Sequence, residues 1–272
     1  MLRKLMKHEF RATSRVMLPL YLVLLVTALG ANFTTRGLMD TEYRILDVIS
    51  VLLAMAFGIA IIGVCVMSVV IMVERFYKNL LQDEGYVMLT LPVSIHQQIW
   101  SKLLVSTVWF VVTGVMVVLA CCILAFDLSF VGDFFRLLGD LFRGLLGEDP
   151  YLVANGTAML GELAALFLLG CFTLCLQFYA ALAMGHSFAR HKMACSVACF
   201  FGLQFVMQVL VSAVVIFTDT VGLDVFLAHT FHFEGMAAMH VMMLFGIAST
   251  VVYGAVFYFL TTFFLKKKLN LE

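Results

Sequence analysis

ERFYKNLLQDEGYVMLTLPVS, Glu74 to Ser94, crowds Glu74, Arg75, Lys78, Asp83 and Glu84 between two long runs that carry no charge. Read as a solvated loop, the stretch leaves its aromatic and leucine spacing without purpose. Read as a docking element, it decides the architecture, because the flanking runs then cross a membrane and hold it at one surface. Tyr77, Leu80 and Leu81 share a face at helical spacing, while Arg75, Lys78, Gln82 and Asp83 point elsewhere. Gly85 suits a left-handed helix cap, Pro92 forces an extended approach, and Ser94 with Gln97 forms a capping box for the next helix. The spacing predicts a short, rigid amphipathic helix over 74–94, able to transmit a push that a mobile loop would absorb.

Composition sets the solvent for the rest. The 272 residues are 63% hydrophobic and only 12% charged, with a mean hydropathy of +1.06. One core of this length cannot hide that excess, so lipid surrounds most of the chain. Seven cysteines (Cys65, Cys121, Cys122, Cys171, Cys175, Cys195 and Cys199) all fall within apolar runs, which suits packing residues rather than a disulfide framework or a zinc site.

A bilayer core of about 30 Å needs about 20 helical residues. Uncharged runs at 16–30 (reaching Phe33), 48–73, 103–126, 163–184, 193–218 and 237–265 supply six spans. Pro19, Pro92 and Pro150 are expected at or outside span ends, where helix continuity tolerates them. Orientation follows from the basic residues. With the N-terminus inside, Arg3, Lys4, Lys7, Arg11, Arg15, Arg75, Lys78, Lys102, Arg190, Lys192, Lys266, Lys267 and Lys268 are cytoplasmic, and only Arg36, Arg44, Arg136 and Arg143 are external. Both termini are therefore expected in the cytoplasm.

Residues 1–15 have the outline of a signal peptide, but five further spans follow. Leu2, Leu5, Met6 and Phe10 oppose Arg3, Lys4, Lys7 and Arg11, which predicts a basic amphipathic helix lying on the inner leaflet. A second amphipathic stretch, Asp127 to Gly147 within an external segment 127–155, is too charged to cross and is expected on the outer surface. The whole chain reads as a single transmembrane domain of 1–272.

Catalytic patterns fail. His8 and Glu9 begin like a zinc-protease helix, but Ala12 stands where the second histidine belongs, and no phosphate-binding glycine loop occurs. His229, His232, Glu234 and His240 lie near the outer end of the last span and read as a wet loop rather than a metal site. Within the spans, Gln204, Gln208 and Ser212 form one stripe, and Thr173 with Gln177 a shorter one. Gln177, Gln204, Gln208 and Ser212 are candidate pathway-lining residues; the same side chains could equally bond helix to helix. Two ladders of small residues, Ser50, Ala54, Gly58 and Gly246, Thr250, Gly254, predict close helix contacts.

The opening segment, with Lys102 inside the start of the next span, resembles the second-to-third span connection of bacterial type-2 ABC exporter permeases, and Lys7 to Tyr21 is similar to their approach to the first span. The resemblance implies that Glu74, Arg75, Tyr77, Lys78, Leu80, Leu81, Asp83, Glu84, Gly85 and Tyr86 couple the chain to separate ABC ATPase subunits. It also implies pairing with a second permease chain, identical or related, in the bacterial cytoplasmic membrane. ATP and Mg would be bound by the ATPase partner; this chain is expected to bind no cofactor or metal, to contact no nucleic acid and to catalyse nothing itself. Two other classes stay open: a membrane sensor or scaffold recruiting a cytosolic partner, and an integral membrane enzyme, for which Glu162 and a few amides are a thin constellation.

Overall fold

The computed structural model describes residues 2–37, 44–81, 94–125, 136, 139, 150–188, 191–222 and 236–267. Six long helices hold nearly all of them: α1 (Leu2–Gly37), α2 (Arg44–Leu81), α3 (Ile95–Ala125), α4 (Pro150–Gly185), α5 (Lys192–Val221) and α6 (Met236–Lys267). Each contains a stretch long and apolar enough to cross a membrane, so this is an all-helical, multi-pass membrane protein. Helix is the form such residues take in hydrocarbon, because backbone N–H and C=O groups find no water and bond within the segment. Local signals mark the ends. Ser94 occupies the cap position before α3 with Gln97 three residues on, and Pro150 opens α4 where a missing N–H costs little. Gly222, with φ 64°, follows α5 as a left-handed terminator.

Three expectations need correction. No break separates a surface helix over 1–15 from the first span: α1 runs through all 36 of its residues. Pro19 therefore lies inside the helix rather than in its first turn. Nor is Tyr77 to Leu81 a separate short helix; it is the last turn of α2, which continues unbroken from Arg44. The physical reason is common to both. The segments 2–18 and 64–84 contain neither glycine nor proline, so nothing stops the helix at the membrane surface. At 1.5 Å per residue the 38 residues of α2 extend about 57 Å, well beyond a hydrocarbon core of about 30 Å. The amphipathic stretch expected on the outer surface lies outside the described residues except for Arg136 and Gly139, both helical.

The chain divides into two compact units: Met1–Arg75 with Gln97–Gly144, and Phe76–His96 with Leu145–Glu272. In the first, α1 and α3 run parallel, joined by polar rungs at nearly constant register. Lys102 Nζ donates to Glu9 Oε1 at 2.5 Å, Tyr21 Oη and Thr113 Oγ1 lie 2.7 Å apart, and Asn32 Nδ2 donates to the Leu124 carbonyl at 2.9 Å. From Glu9 to Asn32 the rungs climb about 35 Å of helix, close to the thickness of a bilayer core. Between them Met17, Leu24, Ala28, Phe57, Val64 and Ala120 form the buried apolar interior. Alanine recurs there because polar rungs between helices require close approach.

The second unit repeats the plan with α4 and α6, also parallel. His240 Nδ1 meets Glu162 Oε2 at 2.8 Å, and Thr173 Oγ1 donates to the Thr250 carbonyl at 3.2 Å. The Gly246, Thr250, Gly254 ladder faces α4, as expected: a Cβ on Gly254 would stand 3.1 Å from Thr173 Oγ1, and one on Gly246 3.4 Å from Leu166. The other ladder departs from expectation. Ser50 does bond α1, donating to the Thr34 carbonyl at 3.2 Å, but Ala54 is exposed and nothing lies within 4 Å of a Cβ on Gly58. The helices α4 and α5 form an antiparallel hairpin whose turn is tight: a Cβ on Gly185 would fall within 2.4 Å of the Ser196 backbone. His191, at φ 54°, bends the chain into α5, where its carbonyl accepts from Cys195 N at 2.9 Å.

Candidate functional site

The end of α2 is where the sequence concentrates its functional signal, and packing there is unequal. Phe76 is fully buried and stacks on Tyr179 with ring centroids 4.0 Å apart. Tyr77 sets its edge against the His186 ring at 5.1 Å. Leu80 and Leu81 are buried. The two ring contacts clamp the last turn of α2 to the C-terminal end of α4 and the turn that follows it. Glu74 and Lys78 are exposed, and Arg75 is half-buried. Asp83, Glu84, Gly85 and Tyr86 lie outside the described residues. The expected apolar face therefore exists at the expected spacing, but two of its three residues are spent inside the chain.

His186 closes this region. It is 2% exposed and its Nδ1–H donates to the Leu182 carbonyl at 3.0 Å. Burial holds its pKa below the ordinary histidine value; the Leu182 bond opposes that shift and the Lys192 charge adds to it. The imidazole is consequently a neutral packing ring under Tyr77 at physiological pH. A histidine two residues beyond a long apolar run carries no local mark of this in the sequence.

The candidate pathway residues divide. Gln177 is buried and its Nε2 donates to Gln204 Oε1 at 2.9 Å, so this pair bonds α4 to α5. Gln208 and Ser212 continue the stripe along α5 but are exposed. None of the most apolar stretch of α5 is buried within the chain.

A polar centre in the first unit was not singled out by spacing. The Glu9–Lys102 ion pair has side-chain exposures of 11% and 4%. It borders a cavity of about 20 Å³ together with Thr13, Ser68, Arg75 and Trp109, room for about one water. Farther along, the Thr113 hydroxyl lies 2.7 Å from Tyr21 and 2.9 Å from Ser68. Two cations, Lys102 and Arg75, border the same small cavity as the Glu9 carboxylate and the hydroxyls of Thr13 and Ser68. Such a group can hold charge and position helices. The available sign was two isolated opposite charges, Glu9 in a basic stretch and Lys102 at the start of an apolar run, but only the tertiary register makes them a pair.

The histidine-rich stretch near the start of α6 is settled only at His240, which pairs with Glu162; His229, His232 and Glu234 lie outside the described residues. Among the described residues, no group of three or more histidine, cysteine, aspartate or glutamate side chains is placed to hold a metal ion. No protein-family model, curated protein or solved structure matches this chain.

Proposed function

We propose that this chain is the membrane-spanning permease subunit of an ABC exporter, working as a pair of permease chains above two separate ATPase subunits, with both termini cytoplasmic. The observation that carries the reading is the unbroken α2. A helix that leaves the bilayer and ends in a charged segment is a lever, and its last turn is clamped to α4 through Phe76, with Leu80 and Leu81 buried beside it. A displacement imposed at 82–93 by a closing ATPase pair would pass along a rigid rod instead of being lost in a loop. In this scheme Glu74, Lys78 and the charged residues 83–84 meet the ATPase, Tyr86 adds an aromatic contact, and the buried leucines pass the force inward. ATP and Mg belong to the partner, and the chain itself contributes differential contacts in two states.

Pairing of two permeases is supported by α5. Gln208 and Ser212 are exposed in the single chain, and amide or hydroxyl groups in hydrocarbon seek protein or water neighbours. A second chain facing a hydrated path supplies both. The competing reading, a membrane scaffold recruiting a cytosolic protein, uses the same charged segment without transport.

The test is purification from native membranes in mild detergent, followed by ATPase assay with and without this chain. A copurifying ATPase whose hydrolysis responds to the chain is the expected result, and charge reversal at Lys78 and Glu84 should release it. A recruited cytosolic protein without ATPase activity would favour the scaffold, and an unaltered partner set in the charge-reversed variant would remove the coupling assignment.

A further inference from the structure

The basic N-terminal stretch acquires a different meaning once α1 is seen to be continuous. Arg3, Lys7 and Arg11 recur every four residues, so they form one stripe along the rod. All three are exposed. Beside them, between α1 and α3, runs a groove of about 830 Å³ that these residues line together with Met6, Phe10, Val105 and Val108, with no acidic residue among its walls. Phe10 is held in place by stacking on Trp109, centroids 4.9 Å apart.

The groove is graded along its length. The parallel register that pairs Glu9 with Lys102 and Tyr21 with Thr113 puts Val105 and Val108 deeper toward the apolar spans than Arg3 and Lys7. From the level of Arg3 to that of Val108 is about 20 Å of helix. Positive charge therefore begins at the shallow end with Arg3 and Lys7 and reaches the level of Val105 at Arg11, and Val108 lies beyond the last cation. That is the polarity of a single anionic lipid, and basic pockets between membrane helices are known to take acidic head groups.

We propose that this groove is a binding site for one anionic glycerophospholipid, its phosphate held by Arg3, Lys7 and Arg11 and an acyl chain lying along Phe10, Val105 and Val108. The site follows from the membrane location of the chain and does not depend on the exporter reading. A bound lipid would fill the cleft between α1 and α3 just outside the Glu9–Lys102 pair and tie the protein to acidic membranes.

The experiment uses the full chain in detergent. Phosphatidylglycerol, phosphatidylcholine and inorganic phosphate are each added, and binding is read by native mass spectrometry and by thermal shift. Phosphatidylglycerol should bind in preference to phosphatidylcholine, and millimolar phosphate should not displace it. Each single change among Arg3→Gln, Lys7→Gln and Arg11→Gln should weaken phosphatidylglycerol about fivefold, with the triple variant on the order of a hundredfold weaker. Val108→Glu should also weaken it, since a carboxylate at the deep end opposes the acyl chain, while leaving the three cations intact. Equal binding of the two lipids, replacement of lipid by free phosphate, or unchanged affinity in the single-glutamine variants would each overturn the proposal.

Discussion

At the scale of single residues, the Glu9–Lys102 pair carries the sharpest consequence. Desolvating two charges is expensive, so such a pair adds little net stability, yet removing one member takes from the other its ion-pair partner. Lys102→Met should therefore lower stability by about 3–5 kcal/mol, while the double variant Glu9→Leu/Lys102→Met should recover most of the loss. Thermal unfolding of the purified chain in detergent measures both; additive losses would show that the two side chains do not act as a pair. His186 supplies a pH prediction. Its folded pKa lies below the unfolded value, so both states are neutral above about pH 6.5 and stability there is full. As pH falls below that, the unfolded chain takes up the proton first and stability drops. The Lys192 charge nearby acts in the same direction, and the Tyr77 ring covers the imidazole. His186→Gln should flatten the decline in melting temperature between pH 7.5 and 5.5, and an unchanged slope would remove His186 as its source.

At the scale of elements, the hydrogen bond from Gln177 to Gln204 shows how a polar stripe divides its duties. One end bonds α4 to α5, and the other, Gln208 and Ser212, is left exposed on α5. Amide pairs between membrane helices contribute about 0.6 kcal/mol in double-mutant cycles. A cycle of Gln177→Leu and Gln204→Leu should return a coupling of that order, measured by unfolding in detergent. A coupling indistinguishable from zero would mean the amides find equal partners elsewhere. On the proposed exporter reading, Gln208→Leu should leave the stability of the single chain unchanged and reduce export in reconstituted membranes. Normal export with Gln208→Leu and with Ser212→Ala would take both off the pathway. The stripe itself was legible from its four-residue period. Which of its members meet a neighbouring helix depends on the α4–α5 hairpin register, and no local pattern encodes that.

At the scale of the whole molecule, the distribution of basic residues sets the expected topology. Thirteen on one side against four on the other predict an orientation in which Glu84 and Lys267 face the cytoplasm while Asp140 and Asp224 face outward. Single cysteines at these positions, in a chain stripped of its native cysteines, should react with an impermeant thiol reagent on intact cells at 140 and 224 only. Labelling at 84 with protection at 140 would invert the arrangement.

Lipid residence, the number of spans and their approximate positions were determined by sequence alone. Runs of about 20 uncharged residues have one stable form in hydrocarbon, so hydropathy is sufficient for them. The helix start at Ser94 was equally local, since capping chemistry involves neighbours in sequence, whereas the start of α4 at Pro150 lies inside the segment 127–155 that was expected to be external. Tertiary structure decided the rest. Hydropathy reports where the lipid ends, not where the helix ends, so the continuity of α1 through residues 2–15 and of α2 to Leu81 was hidden. The face of Tyr77, Leu80 and Leu81 was legible as apolar, but apolar surface meets either a partner or the rest of the chain, and only the fold, which buries both leucines and sets Tyr77 against His186, chooses between them. The pairing of Glu9 with Lys102 likewise needed the parallel register of α1 and α3, because a charge in a sequence has no partner until the fold brings one within reach.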